Sequence, residues 1–153
     1  MGGSNIRCGE FEGEDKSGSP ALAVLTEAYR RAFSRRPRGR IALAFAALAG
    51  GKRPGIEGLA ESALLSVKFD EVGTIPTDVC ARLLPQLQEY QKEVLGRLNI
   101  SDDPEQVFQK MAHSTRAKYG RAHDDGWHAY CLHDLIPAFE KSVSTQKPVE
   151  IVW

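Results

Sequence analysis

The chain has 153 residues, 42% hydrophobic and 26% charged, with twenty basic side chains balanced by twenty acidic ones. That fits one domain with a sizeable core, and a formal net charge of zero gives no global pull toward nucleic acid or an anionic membrane. Three cysteines, Cys8, Cys80 and Cys131, are an odd number far apart in sequence, which argues against a disulfide framework and for a reducing, cytoplasmic location.

Residues 1–19 are polar and Gly-rich, with no apolar run of the kind a secretory leader carries, and are expected to form a flexible N-terminal segment ahead of a single globular domain over 20–153. Within the segment, NIRCG reads as a short edge strand and GEDKSGS as a mobile loop. Ile6 stands where a myristoylation signal requires Ser or Thr.

Ser19 followed by Pro20 reads as an N-cap and a first helical position, since proline's missing N–H costs nothing there. Leu22, Leu25, Tyr29 and Phe33 then recur at helical spacing, so 20–34 is an amphipathic helix. The stretch RRAFSRRPRGR (30–40) carries six arginines in eleven residues. Guanidinium groups grip phosphates through paired hydrogen bonds, which makes Arg35, Arg36, Arg38 and Arg40 candidate ligands for phosphate or nucleic acid. No base-stacking aromatic residue stands beside them, and GEFEGED (9–15) holds four carboxylates that could neutralise them.

IALAFAALA (41–49) is a second, Ala-rich helix, much too short to span a bilayer, and no membrane association is expected. GGKRPG (50–55) is a turn that lacks the spacing of a phosphate loop. Residues 56–69 can begin as a helix and end as a short strand, and Val72 to Pro76 reads as a break. Thr77 should cap the next helix, with Asp78 in its first turn. Its stripe is Cys80, Leu83, Leu84, Leu87, Val94, Leu95 and Leu98, interrupted by Pro85, which should bend or split the helix. Cys80, near a helix N-terminus, is placed for thiolate chemistry but also fits the apolar stripe. Asp103-Pro104-Glu105 opens a further helix to about residue 119, with Val107, Phe108 and Met111 facing in.

Asp70-x-x-Gly73-x-Ile75-Pro76 followed by Cys80-x-x-Leu83 resembles a family of small uncharacterised bacterial proteins in which a D-x-x-G-x-[IL] turn precedes a cysteine-bearing helix. The resemblance extends to Gly126-Trp127-x-x-Tyr130-x-Leu132-x-x-Leu135 and covers about half the chain. It implies no activity, because the family has none assigned. The twelve-residue pattern of a calcium loop, ending in a bidentate Glu, is absent here.

HDDGWHAYCLHD (123–134) concentrates three histidines, three aspartates and a cysteine in twelve residues. Two readings compete. A helix from Asp125 would bring Asp124, His128 and Cys131 within about 60° of one another, a possible three-ligand face. It would also carry Pro137 at its thirteenth position, a cost of about 3 kcal/mol. The alternative makes 127–132 a strand, Asp134 an N-cap and 135–145 a helix, with Pro137 harmless in the first turn. Proline favours the second reading. Trp127, Ala129 and Cys131 would then share one strand face, with His128, Tyr130 and Leu132 on the other. VEIVW would form a last strand, parallel to the first if the two pair.

The expectation is therefore an α+β domain, mostly helical, with a small sheet including strands near 127–132 and 149–153; an all-α fold is the alternative. Function resolves into three classes. The leading one is a small soluble non-catalytic binding protein with a protein partner, such as a bacterial immunity, accessory or regulatory protein, needing no cofactor. The second is a metal- or cysteine-dependent enzyme built on His123, Asp124, His128, Cys131 and His133. The third is phosphate or nucleic-acid binding through the arginine run. Partner identity and oligomeric state are not encoded in any motif.

Overall fold

A computed structural model describes residues 3–14, 16–33, 72–113 and 124–152. In chain order these form β1 (Gly3–Cys8), β2 (Phe11–Glu12), β3 (Lys16–Ser17), α1 (Gly18–Phe33), β4 (Val72–Ile75), α2 (Thr77–Leu98), α3 (Pro104–His113), α4 (Asp125–Thr145) and β5 (Val149–Val152). The domain is α+β and mostly helical, with a small antiparallel sheet. The helix expected at 41–49, the turn at 50–55 and the residues 56–69 lie outside the described residues.

The sheet runs β2-β1-β5-β4, with β3 pairing the start of β1. Ile6 stands opposite Ile151, and Ile75 opposite Val149. Side chains alternate across a strand. Ile6, Cys8, Ile75, Val149 and Ile151 therefore turn into the core, while Arg7, Thr74 and Glu150 face out. NIRCG is thus not an edge: β1 is flanked on both sides by β2 and β5. Ile6 and Cys8 join the same buried cluster as the helices, so the core crosses the line drawn at residue 19. Val72 to Ile75 is strand rather than break, since Val, Thr and Ile suit a pleated surface and β5 supplies the partner.

α1 buries Ala21, Val24, Leu25, Ala28 and Tyr29; of the anticipated repeat, Leu25 and Tyr29 are buried and Leu22 only partly. α2 buries Cys80, Leu83, Leu87, Tyr90 and Val94. Pro85 does not split it: proline sits on its exposed side, where one missing hydrogen bond leaves the buried face intact. Thr77 is not the cap. Pro76, extended at ψ 150°, holds that position without a side-chain bond, and the Thr77 hydroxyl lies 3.4 Å from Ser142 Oγ instead. Asn99 closes the helix in the left-handed region, a conformation Asn tolerates better than most residues. Asp103 caps α3 by accepting from the Glu105 and Gln106 amides, both at 3.1 Å. Val107 and Met111 face in, but Phe108 does not, being 52% exposed.

The largest departure is at α4. There is no strand at 127–132 and no helix start at Asp134; one helix runs from Asp125 to Thr145 with Pro137 inside it. Asp124 is its cap, accepting from the Gly126 and Trp127 amides. The helix is the centre of the fold, packed by α1, α2, α3 and the sheet. Leu132, Leu135 and Phe139 are fully buried, at about 1.5–3 kcal/mol each. Together they outweigh the roughly 3 kcal/mol that an interior proline costs. With α4 helical, its connection to β5 is the short turn at Gln146, and both strands beside β5 are antiparallel to it. The expected parallel pairing does not occur.

Candidate functional site

With 124–136 helical, the ligand face of Asp124, His128 and Cys131 has to be judged on geometry. The Asp124 carboxylate is spent on the helix N-terminus, with Oδ1 2.8 Å from the Gly126 amide. His128 turns to α2, where its Nδ1 lies 2.6 Å from the Tyr90 hydroxyl. Cys131 is wholly buried among apolar neighbours. His133 points elsewhere, toward Asp102 at 3.2 Å. His123 lies outside the described residues. Among the described residues, no three His, Cys, Asp or Glu side chains converge as metal ligands would.

What α4 does build is a buried Tyr90–His128 pair. Burial pushes the Tyr90 phenol up, so it keeps its proton; we assign its hydroxyl as donor and His128 Nδ1 as acceptor. Two guanidinium groups lie over the Tyr90 ring, Arg31 at 4.9 Å and Arg97 at 5.9 Å from its centre, placements that favour a cation–π attraction. Each is tied to carboxylates. Arg31 bridges Glu27 and Glu93, and Arg97 makes a two-pronged bond to Asp125. The Arg97 bond outweighs partial burial and holds the Asp125 carboxyl below the usual range. At Glu27, burial pushes upward, but the bonds to Arg30 and Arg31 win and its carboxyl is lowered. The network joins α1, α2 and α4, and its charges compensate one another.

The opposite side of α4 is different. The Asp134 carboxylate is buried and accepts the Glu14 amide at 2.9 Å; this, not helix capping, is its role. Gly13 allows the approach, because a Cβ there would stand 2.8 Å from Asp134 Oδ2. Glu14 is thereby placed beside Tyr130, whose hydroxyl donates to its Oε2 at 2.8 Å. The Tyr130 ring meets Phe108 edge-on, with centres 6.2 Å apart, and Trp127 at 6.0 Å. His133, one turn along, carries Asp102 at the rim. An aromatic surface with carboxylates at its edge results.

The cysteines are all buried, and none forms a disulfide. At Cys80 desolvation dominates and raises the thiol, opposite to what a helix N-terminal nucleophile needs. Arg35, Arg36, Arg38 and Arg40 lie outside the described residues, as do Asp70 and Glu71 of the D-x-x-G turn. Nearby, Arg30 and Arg31 are ion-paired to Glu27, while Glu12 of the acidic stretch pairs with Arg7 rather than with them.

Tyr90, Glu14 and Phe108 were not picked out from sequence as site residues. Tyr90 had a signal, since it continues the stripe of Leu83, Leu87 and Val94 at helical spacing. Glu14 had none, being brought to Tyr130 by a contact across 116 positions. Phe108 was placed inward by the same periodicity that correctly buried Val107 and Met111.

No family model, no curated protein and no solved structure matches this chain.

Proposed function

We propose that this chain is a small cytoplasmic binding protein, of the immunity, accessory or regulatory kind, that docks a protein partner through the face centred on Phe108 and Tyr130. The observation that carries this is Phe108: a large aromatic side chain, 52% exposed, edge-on to a second aromatic ring. Aromatic side chains at the surface supply contact area at little conformational cost and are enriched at protein interfaces. The reading is further supported by where the reactive side chains go. His128 is bonded to Tyr90, Asp124 caps a helix, Asp134 holds a loop amide, and the three thiols are buried. No helix among the described residues is long and apolar enough to cross a membrane.

A photoreactive amino acid placed at position 108 of the full chain, in its host cell, tests this directly. Position 144, exposed and roughly 20 Å along α4 from Tyr130, is the control. Discrete protein adducts from 108 and not from 144 are expected. Phe108→Glu should abolish recovery of the same proteins while leaving the melting temperature nearly unchanged, as for an exposed site. Identical adducts from both positions, or full recovery by Phe108→Glu, would overturn the reading.

A further inference from the structure

The two sides of α4 treat their carboxylates differently. Toward α1 and α2, Glu27, Glu93 and Asp125 each hold an arginine at 2.8 Å or less. Around Phe108, Glu14 takes a tyrosine hydroxyl, Asp102 a histidine, and Asp103 two backbone amides. Glu105, one turn before Phe108, has only a long contact from Gln109 at 3.5 Å. Among the residues whose side chains are described, none of these four exposed carboxylates has a lysine or arginine within ion-pair distance. A hydroxyl or a backbone amide, as at Glu14 and Asp103, orients a carboxylate without cancelling its charge. Among the described side chains, the aromatic surface is therefore bordered on two sides by carboxylates that face no lysine or arginine, Glu14 from the β2–β3 loop and Glu105 from α3.

Resting on the docking role proposed above, we propose that the occupant of this face is a polypeptide segment that presents lysine or arginine beside a bulky apolar side chain. The apolar group covers Phe108 and Tyr130. The cation reaches Glu14 or Glu105, and its aliphatic stem lies along the rings, as long basic side chains do on apolar surfaces. Aromatic faces attract cations, so the two parts of the surface act in the same sense. Nucleic acid, which would bring phosphates to these carboxylates, is disfavoured here.

The test uses two short amidated peptides of identical leucine and tryptophan content, one with lysine at the remaining positions and one with glutamate. Each is titrated into the labelled full chain and followed by NMR. The lysine peptide is expected to move the resonances of Phe108, Tyr130, Glu14 and Glu105, and the glutamate peptide to leave them in place. Glu14→Gln keeps an acceptor for Tyr130, and Glu105→Gln touches nothing buried. Each should weaken the lysine peptide roughly two- to fivefold, the order for one exposed ion pair, and added salt should weaken it further. Equal binding of both peptides overturns the cationic partner and leaves apolar docking standing. No shift on this face, or shifts spread evenly over the surface, overturns the inference as well. Docking itself is judged separately, by the crosslinks from position 108.

Discussion

Pro137 sits at the thirteenth position of α4, and Pro137→Ala should make the protein more stable. Proline in a helix interior removes one backbone hydrogen bond and crowds the preceding turn, at about 3 kcal/mol. Two effects oppose the gain. The ring is half-buried, and losing that contact costs about 0.8 kcal/mol, the value of one fully buried methylene. The unfolded chain also regains freedom worth about 0.4–1 kcal/mol. The balance is a stabilisation of about 1–2 kcal/mol, which for a chain of this size raises the melting temperature by about 2–8 °C. Thermal melts followed by far-UV circular dichroism measure it. Pro85→Ala, on the exposed side of α2, is a replicate free of the packing loss. Were Pro137 instead in the first turn of a helix capped by Asp134, alanine would gain no hydrogen bond and lose a favourable first-turn residue. A melting temperature that falls in Pro137→Ala while it rises in Pro85→Ala would refute the continuous helix.

Tyr90→Phe keeps the ring under both arginines but leaves His128 Nδ1 without its hydroxyl; we expect a loss of about 1–3 kcal/mol in urea unfolding, and no loss would mean the bond is not made. Gly126→Ala places a Cβ 2.7 Å from the Lys110 carbonyl oxygen, so α3 must shift, and a destabilisation of about 1–3 kcal/mol is expected; a neutral result would show that the two helices do not pack this closely. Arg97→Gln tests the lowered Asp125 carboxyl. Because the folded state holds that group ionised, its contribution is present above the ordinary carboxylate range and lost as pH falls through the depressed value. The pair is partly exposed, so the difference from wild type should be at most about 1 kcal/mol at neutral pH. It should shrink toward zero in acid, and a difference independent of pH would contradict the ion pair. Native-state labelling of the three buried thiols by a disulfide reagent should be slow compared with the unfolded chain, and rapid labelling of Cys80 would show that it is not enclosed as described.

Much of the fold was legible because its signals are local. α1 and α2 each bury one stripe and expose the rest, so a 3.6-residue period appears in the sequence. Asp103-Pro104 marks a helix start by side-chain chemistry that acts within three residues. The last strand alternates at period two, with Val149 and Ile151 buried and Glu150 exposed. α1, α2, the start of α3 and the last strand were placed within a residue or two, and with them the mostly helical α+β class; the expected end of α3 near residue 119 lies outside the described residues.

The aromatic, acid-bordered face was not legible, for a different reason. Phe108 occupies a helical position that could face either way, and only the seating of α3 on α4 turns it outward. Glu14 reaches Tyr130 because Asp134, far along the chain, holds the loop amide. Such neighbours are set by long-range closure, which leaves no periodic trace.

α4 shows where local reasoning ends. A helix packed by other helices and a sheet over most of its circumference keeps only a narrow wet face, so its apolar residues show little period, and its composition is equally that of a buried strand. Judged locally, Pro137 rightly argued against it, because the local cost of about 3 kcal/mol is real. Sequence by itself determined the surface helices, the closing strand and the scarcity of catalytic motifs. Tertiary structure alone decided that residues 125–145 are one helix, that β1 lies inside the sheet, and that His128 meets a tyrosine rather than a metal-ligand set. Burial of the central helix on nearly every side supplies more free energy than its proline removes, and that comparison can be made only once the neighbours are in place.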